Sequence, residues 1–283
     1  QAEEIWRGEE ADVWSGATLL RDHTGTVHGT YAFRATSFHE TEYFWQKDGE
    51  WLRLDMPLKA APYGLIDGQL LFSTDVDWET QGQTFPADAL ISVDLEEFKA
   101  DPNGATKTLV WAPEAKQTKQ GAANTAESLY VSLLDNVRGR VLKFDYVDGK
   151  WVSTEVALPD NSTLGVAAAS DGSDEIMYSV TDFLTPSTLY YSDGSGAPEV
   201  IKTSPSNFDA AGMEVEQFEA TSADGTKIPY FLVKPKGMVM DGTNPTLLTG
   251  YGGFQVPRLP SYLGSIGKIW AERGGAYILG NMR

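Results

Sequence analysis

The chain has 283 residues, of which 41% are hydrophobic and 22% charged, with 40 acidic against 22 basic side chains and no cysteine. The apolar content is ordinary for a globular protein long enough for two domains. The formal charge of −18 argues against a phosphate-binding surface, the missing cysteines exclude disulfides and thiolate zinc sites, and no apolar run reaches the roughly 18 residues a transmembrane helix needs. Neither nucleic acid nor membrane is therefore expected as a partner. Residues 1–10 carry no basic-then-apolar signal pattern; a signal peptide would lie upstream of Gln1, so cytoplasmic and periplasmic locations both stay open.

From Glu10 to about Pro205 the chain reads as short β segments separated by turns. Thr41-Glu42-Tyr43-Phe44-Trp45 leads through Asp48-Gly49 into Trp51-Leu52-Arg53-Leu54, and Arg140-Val141-Leu142-Lys143-Phe144 leads through Asp148-Gly149 into Trp151-Val152. Asp-Gly between alternating apolar runs is a strong hairpin signal, because both turn residues must take positive φ. Leu189-Tyr190-Tyr191 reaches a third pair, Asp193-Gly194. Further strands are expected at residues 70–73, 90–93, 129–132 and 176–179.

These hairpins recur. Asp48-Gly49 and Asp148-Gly149 lie 100 positions apart, each with a tryptophan two residues beyond the glycine, and Asp193-Gly194 follows after 45. A period of roughly 45–50 residues holding about four strands is the signature of a β-propeller blade, and this stretch has room for four or five. Tryptophans such as Trp45, Trp51, Trp111 and Trp151 are read as blade core, since they alternate with turns and do not interleave with a basic patch.

Thr203-Ser204-Pro205-Ser206-Asn207 is a polar, proline-marked linker, which divides the chain into 1–206 and 207–283. Beyond it, Val215–Thr221 alternates as a strand, Asp224-Gly225 turns, and Lys227–Val233 returns, with Pro229 favouring an edge position or a bulge. Thr246-Leu247-Leu248-Thr249 then reads as a buried strand running into the glycine loop Gly250-Tyr251-Gly252-Gly253-Phe254. A helix follows, with Leu263, Ile266, Ile269 and Trp270 as its sheet-covering face, and then a strand at Ala276–Gly280. Strand, loop, helix and strand make one parallel βαβ crossover. Its glycine loop stands at the C-terminal strand edge, where open α/β sheets bind ligands.

Ser222-Ala223-Asp224-Gly225-Thr226-Lys227-Ile228-Pro229, Lys236-Gly237, Gly250-Tyr251-Gly252-Gly253-Phe254 and Asn281-Met282-Arg283 stand in the order and spacing of the prolyl oligopeptidase family of serine peptidases. This part of the chain resembles the opening of that family's catalytic domain; residues 77–90 and 181–190 resemble its propeller more loosely. The resemblance implies a mainly β chain: part of a seven-bladed propeller, then the N-terminal strands of an α/β-hydrolase domain. It implies that Tyr251 helps bind the oxyanion, that Phe254 walls the pocket for the residue before the scissile bond, and that Gly252 and Gly253 border the substrate. The complete enzyme is expected to hydrolyse oligopeptides by acyl transfer, cutting after proline, as a monomer without metal or organic cofactor. A sister peptidase cutting after basic residues and a non-catalytic propeller binding module are the alternatives.

The residues themselves set a limit on that activity. A serine hydrolase needs a nucleophile on a strained elbow, commonly Gly-x-Ser-x-Gly, with a histidine base. No such elbow occurs, and the only histidines, His23, His28 and His39, lie in the blade region at spacings that fit no metal signature. The glycine loop lacks the Lys-Ser/Thr of a phosphate-binding loop. The chain is therefore expected to be a fragment, inactive alone, with earlier blades upstream of Gln1 and the triad beyond Arg283.

Overall fold

The computed structural model describes residues 3–252 and 256–281. The first sheet is built from β1 (Trp14–Arg21), β2 (Val27–Ala35), β3 (Thr41–Lys47) and β4 (Glu50–Arg53), paired in that order. The second has β5 (Ala60–Ile66), β6 (Gln69–Thr74), β9 (Leu90–Asp94) and β10 (Lys107–Trp111), with the small hairpin β7 (Trp78–Thr80) and β8 (Gln83–Phe85) inserted. The third has β11 (Gln117–Asn124), β12 (Ser128–Asp135), β13 (Arg138–Val147) and β14 (Lys150–Glu155). The fourth has β15 (Thr163–Ala169), β16 (Ile176–Thr181), β17 (Thr188–Ser192) and β18 (Glu199–Thr203). Each is a four-stranded antiparallel meander, so the described residues hold four propeller blades.

The Asp-Gly pairs sit where the hairpin argument puts them. Asp48 and Gly49 have φ of 53° and 84°, Asp148 and Gly149 of 50° and 77°, and each pair joins the third and fourth strands of its blade. Asp193-Gly194 holds the same place in the fourth blade but opens a wider loop, since Tyr191 pairs with Glu199. The second blade breaks the repeat. There the third strand runs into α1 (Leu95–Ala100), whose second and third backbone amides, those of Glu96 and Glu97, donate to the Asp94 carboxylate at 2.9 and 3.0 Å. Blade starts consequently fall 46, 57 and 46 positions apart.

Facing blades bury their side chains against one another. Trp45, Phe72, Trp78 and Phe98 form the core between blades one and two, and Leu71, Leu90, Leu129 and Val131 that between two and three. Tyr130 and Tyr178 meet between three and four at 6.3 Å, where burial pushes the Tyr130 phenol up to about 12 and raises that of Tyr178 as well.

The last sheet is mixed. β19 (Met213–Thr221), β20 (Lys227–Pro235), β21 (Thr246–Gly250) and β22 (Ala276–Gly280) stand in the order β19-β20-β22-β21. β21 and β22 are parallel neighbours joined through α2 (Gly264–Ile269), which is the expected crossover. Three details differ from the sequence reading. β21 is an edge strand among the described residues and Leu248 is 70% exposed, so it is not buried. β20 lies inside the sheet, and Pro229 is tolerated because its pairing with β22 begins only at Tyr230, leaving the Pro229 carbonyl to accept from the Asn281 amide at 3.0 Å. Ile269 is 61% exposed, because the short helix gives way to a 3-10 turn at Ala271–Arg273 and Ala271 turns inward in its place.

The mixed sheet shares its core with the fourth blade. Phe183, on the loop between β16 and β17, is 1% exposed and packs against Phe231 and Tyr277 at ring distances of 5.4 and 6.1 Å. The Leu263 amide donates to the Phe183 carbonyl at 3.1 Å. Among the described residues no helix is long and apolar enough to cross a membrane.

Candidate active site

Gly250 and Gly280 are register partners at the C-terminal ends of β21 and β22. The next residues, Tyr251 and Asn281, leave the sheet on the edge where crossover topology leaves a crevice. Asn281 is fully engaged: its Oδ1 accepts from the Arg258 amide at 2.7 Å and its Nδ2 donates to the Arg258 carbonyl at 3.0 Å. One side-chain amide thereby stands in for a strand partner and fixes the segment that follows the glycine loop. Tyr251 is 43% exposed, and among the described residues its hydroxyl has no hydrogen-bond partner. Phe254 and Gly253 lie outside the described residues.

A cavity of about 770 Å³ opens beside this edge. Gly252, Pro229 and Asn281 line it from the mixed sheet, and Lys116, Gln120 and Val137 line it from the third blade. The two sides are held together by the turn between β12 and β13 and by Lys116, the residue before β11. Gln217 Nε2 donates to the Asn136 carbonyl at 2.6 Å, and Lys116 Nζ meets Glu219 Oε1 at 2.5 Å. That ammonium holds the Glu219 carboxyl below its ordinary range, chiefly by its hydrogen bond. Val137 sits at φ 61°, a conformation that costs a β-branched residue about 1–2 kcal/mol. It is retained there while packed against the shared core of Phe183 and Phe231. On the fourth blade, Thr163 Oγ1 donates to the Pro260 carbonyl at 2.6 Å, securing the same segment that Asn281 holds.

The structure therefore brings Gly252 to the cavity wall; Tyr251, the residue before it, follows the end of β21 and is not part of the lining. Sequence reasoning left Asn281 without a role and did not name Lys116, Gln120 or Val137. A valine at positive φ and contacts across more than 80 residues leave no local signal. The histidines take no part: His28 Nε2 lies 2.7 Å from Asp22 Oδ2 in the first blade, and among the described residues no cluster of three metal-ligating side chains occurs.

Comparison with known proteins agrees with this architecture. The description "prolyl oligopeptidase, N-terminal beta-propeller domain" matches residues 1–204. An uncharacterized peptidase, y4nA, of Sinorhizobium fredii is 40% identical over 100% of this chain and 40% of its own length. A prolyl endopeptidase of Elizabethkingia miricola is 33% identical over 62% of this chain and 26% of its own. A post-proline cleaving enzyme from Rickettsia typhi shares the fold with a TM-score of 0.74 and 24% identity, over 98% of this chain and 41% of that one. The chain thus spans at most about two fifths of these relatives.

Proposed function

Since the chain belongs to the prolyl oligopeptidase family of serine peptidases, we propose that it forms the closing blades and the first catalytic-domain strands of an oligopeptidase that cuts after proline. The observation that carries this reading is the cavity shared by the ends of β21 and β22 and the third blade. In this reading residues 1–206 are propeller and 207–283 begin the hydrolase domain.

The reaction is acyl transfer. A serine hydroxyl gives its proton to the histidine as its oxygen adds to the substrate carbonyl carbon, the carbonyl oxygen taking up negative charge; collapse then breaks the C–N bond, the amine leaves with that proton, and water hydrolyses the acyl-enzyme. The Tyr251 hydroxyl, on a side chain that is 43% exposed beside Gly252, donates to that carbonyl oxygen and stabilises the charge more than it stabilises the neutral carbonyl. Gly252 lets the substrate backbone approach, and Phe254 packs on the proline before the scissile bond. The serine, aspartate and histidine come from parts of the protein outside these 283 residues. The blades restrict the cavity to short, unfolded peptides, and the whole enzyme acts as a monomer.

The experiment is cleavage of chromogenic prolyl, arginyl and lysyl peptides by the full-length protein, alongside labelling with a fluorophosphonate. Prolyl turnover with one labelled serine is expected; hydrolysis confined to basic peptides would move the reading to the sister activity, and no labelling would leave a binding module.

A further inference from the structure

β11 is the first strand of its blade and pairs with β12 alone, so its other edge is free among the described residues. One end of this strand belongs to the cavity already described, through Thr118 and Gln120. The other end lines a second recess of about 390 Å³, formed by residues 120–124 on one side and 164–169 of β15 on the other. Side chains of a strand alternate between its two faces, so a sheet face would contribute every second residue to a wall. Here consecutive residues line the recess from both strands, so backbone edges form most of its walls, and Ser132 of β12, the register partner of Gly121, adds one contribution from inside the sheet.

Three features keep this edge accessible. Its residues are small: Gly121, Ala122 and Ala123 face Ala167, Ala168 and Ala169. A Cβ added at Gly121 or at Gly165 would meet nothing within 4 Å. The register of β11 against β12 slips between Lys119 and Gly121, so Gln120 is a bulge residue, re-aimed at the junction that both cavities share.

We propose that the free edge of β11 is a peptide-binding track, continuous with the active-site cavity, which pairs through main-chain hydrogen bonds with an extended substrate segment remote from the scissile bond. The claim rests on the oligopeptidase reading above. An unpaired strand edge offers alternating amides and carbonyls, and an extended peptide backbone is the ligand that matches them without regard to side chains. Continuity through Gln120 identifies that peptide as the substrate itself. The small residues beside the edge leave room for its side chains, and the Gln120 amide, able to donate and accept, holds it at the bend between the two cavities.

The test uses the full-length protein and two fluorogenic peptides sharing one prolyl bond. One has about four residues and the other about twelve, enough to follow a strand that spans about 26 Å at ~3.3 Å per residue. Gly121→Val and Gly165→Val fill the recess at open positions, with thermal melting as the check on folding. We expect the unmodified protein to show a KM roughly tenfold lower for the long peptide, and both variants to abolish that advantage while leaving the short peptide unchanged. N-methylation of alternate remote residues of the long peptide should reduce it to the behaviour of the short one. An advantage that survives N-methylation, or none at all, overturns the proposal. If neither peptide is cleaved, the oligopeptidase reading is what fails. The track is then judged by anisotropy of the fluorescein-labelled long peptide, where binding lost in Gly121→Val supports it and equal or absent binding overturns it. A dimer dissociated by Gly121→Val would assign the edge to a second copy and likewise overturn it.

Discussion

Tyr251 and Asn281 leave the mixed sheet side by side, because the residues before them, Gly250 and Gly280, are register partners. The asparagine spends both ends of its amide on the backbone of Arg258, while the tyrosine hydroxyl has no hydrogen-bond partner among the described residues. One residue shapes the cavity edge; in the proposed reaction the other acts on what enters.

Tyr251→Phe in the full-length enzyme removes the donor and keeps the ring. Loss of an oxyanion donor typically lowers kcat by about 10²–10³, or about 2.7–4 kcal/mol. KM should move little, since ground-state contacts remain. Steady-state kinetics on a prolyl peptide checks this; a lowered melting temperature with kcat intact would return Tyr251 to a structural role. Phe254→Ala should act instead on KM and on the preference for proline.

Asn281→Ala removes two hydrogen bonds to the Arg258 backbone and leaves that amide and carbonyl without their partner. Stability should fall by about 1–3 kcal/mol. Because the effect is local, limited proteolysis should show faster cutting between residues 252 and 262, and kcat should drop with it. Asn281→Asp should restore the contact to the amide but not the one to the carbonyl, and rescue only part of the loss.

Phe183→Ala empties a fully buried site between two other aromatic rings. The expected loss is about 3–5 kcal/mol, the range for deleting a core phenylalanine. Chemical denaturation should show it, and Phe183→Leu should recover most of it.

The Lys116–Glu219 pair makes docking sensitive to pH and salt. The folded carboxyl is held below its ordinary value of 4.5, so the pair's contribution is complete above that value and is lost as pH falls through the lowered one. Glu219→Gln lacks this contribution at every pH. The melting-temperature gap between the two proteins should therefore be widest near neutrality, close as the medium is acidified below pH 4.5, and shrink in 1 M salt, where screening acts within about 3 Å.

Local chemistry was the readable part of this sequence. Asp48-Gly49 and Asp148-Gly149 announce their turns because few residue pairs take two positive φ angles in a row, and Asp67-Gly68, with φ of 45° and 72°, carried the same signal unremarked. Asn136-Val137 makes an equivalent turn against propensity, since packing on the neighbouring sheet compensates for a valine in that conformation. The second blade hid its period because α1 replaces its turn and β7 and β8 lengthen it. At the site, Tyr251 and Gly252 could be singled out from the glycine loop. The third-blade wall could not, because Lys116 and Glu219 are 103 positions apart and neither is unusual where it stands. Ile269 was misplaced for a simpler reason: periodicity extrapolates a regular helix, and this one ends after six residues.

The stretch that matches the family's propeller ends at residue 204, yet Phe183 lies within that stretch and is buried by Phe231 and Tyr277 beyond it. The boundary in sequence and the boundary in packing therefore do not coincide. A propeller cut at residue 204 would carry a bare aromatic patch into water, at a cost of about 1.5–3 kcal/mol for that one side chain. During synthesis the fourth blade leaves the ribosome before its covering does, so its final packing is expected only once the strands that follow are made. Once assembled, each covers part of the other's core, so blade and sheet are expected to melt as one cooperative event.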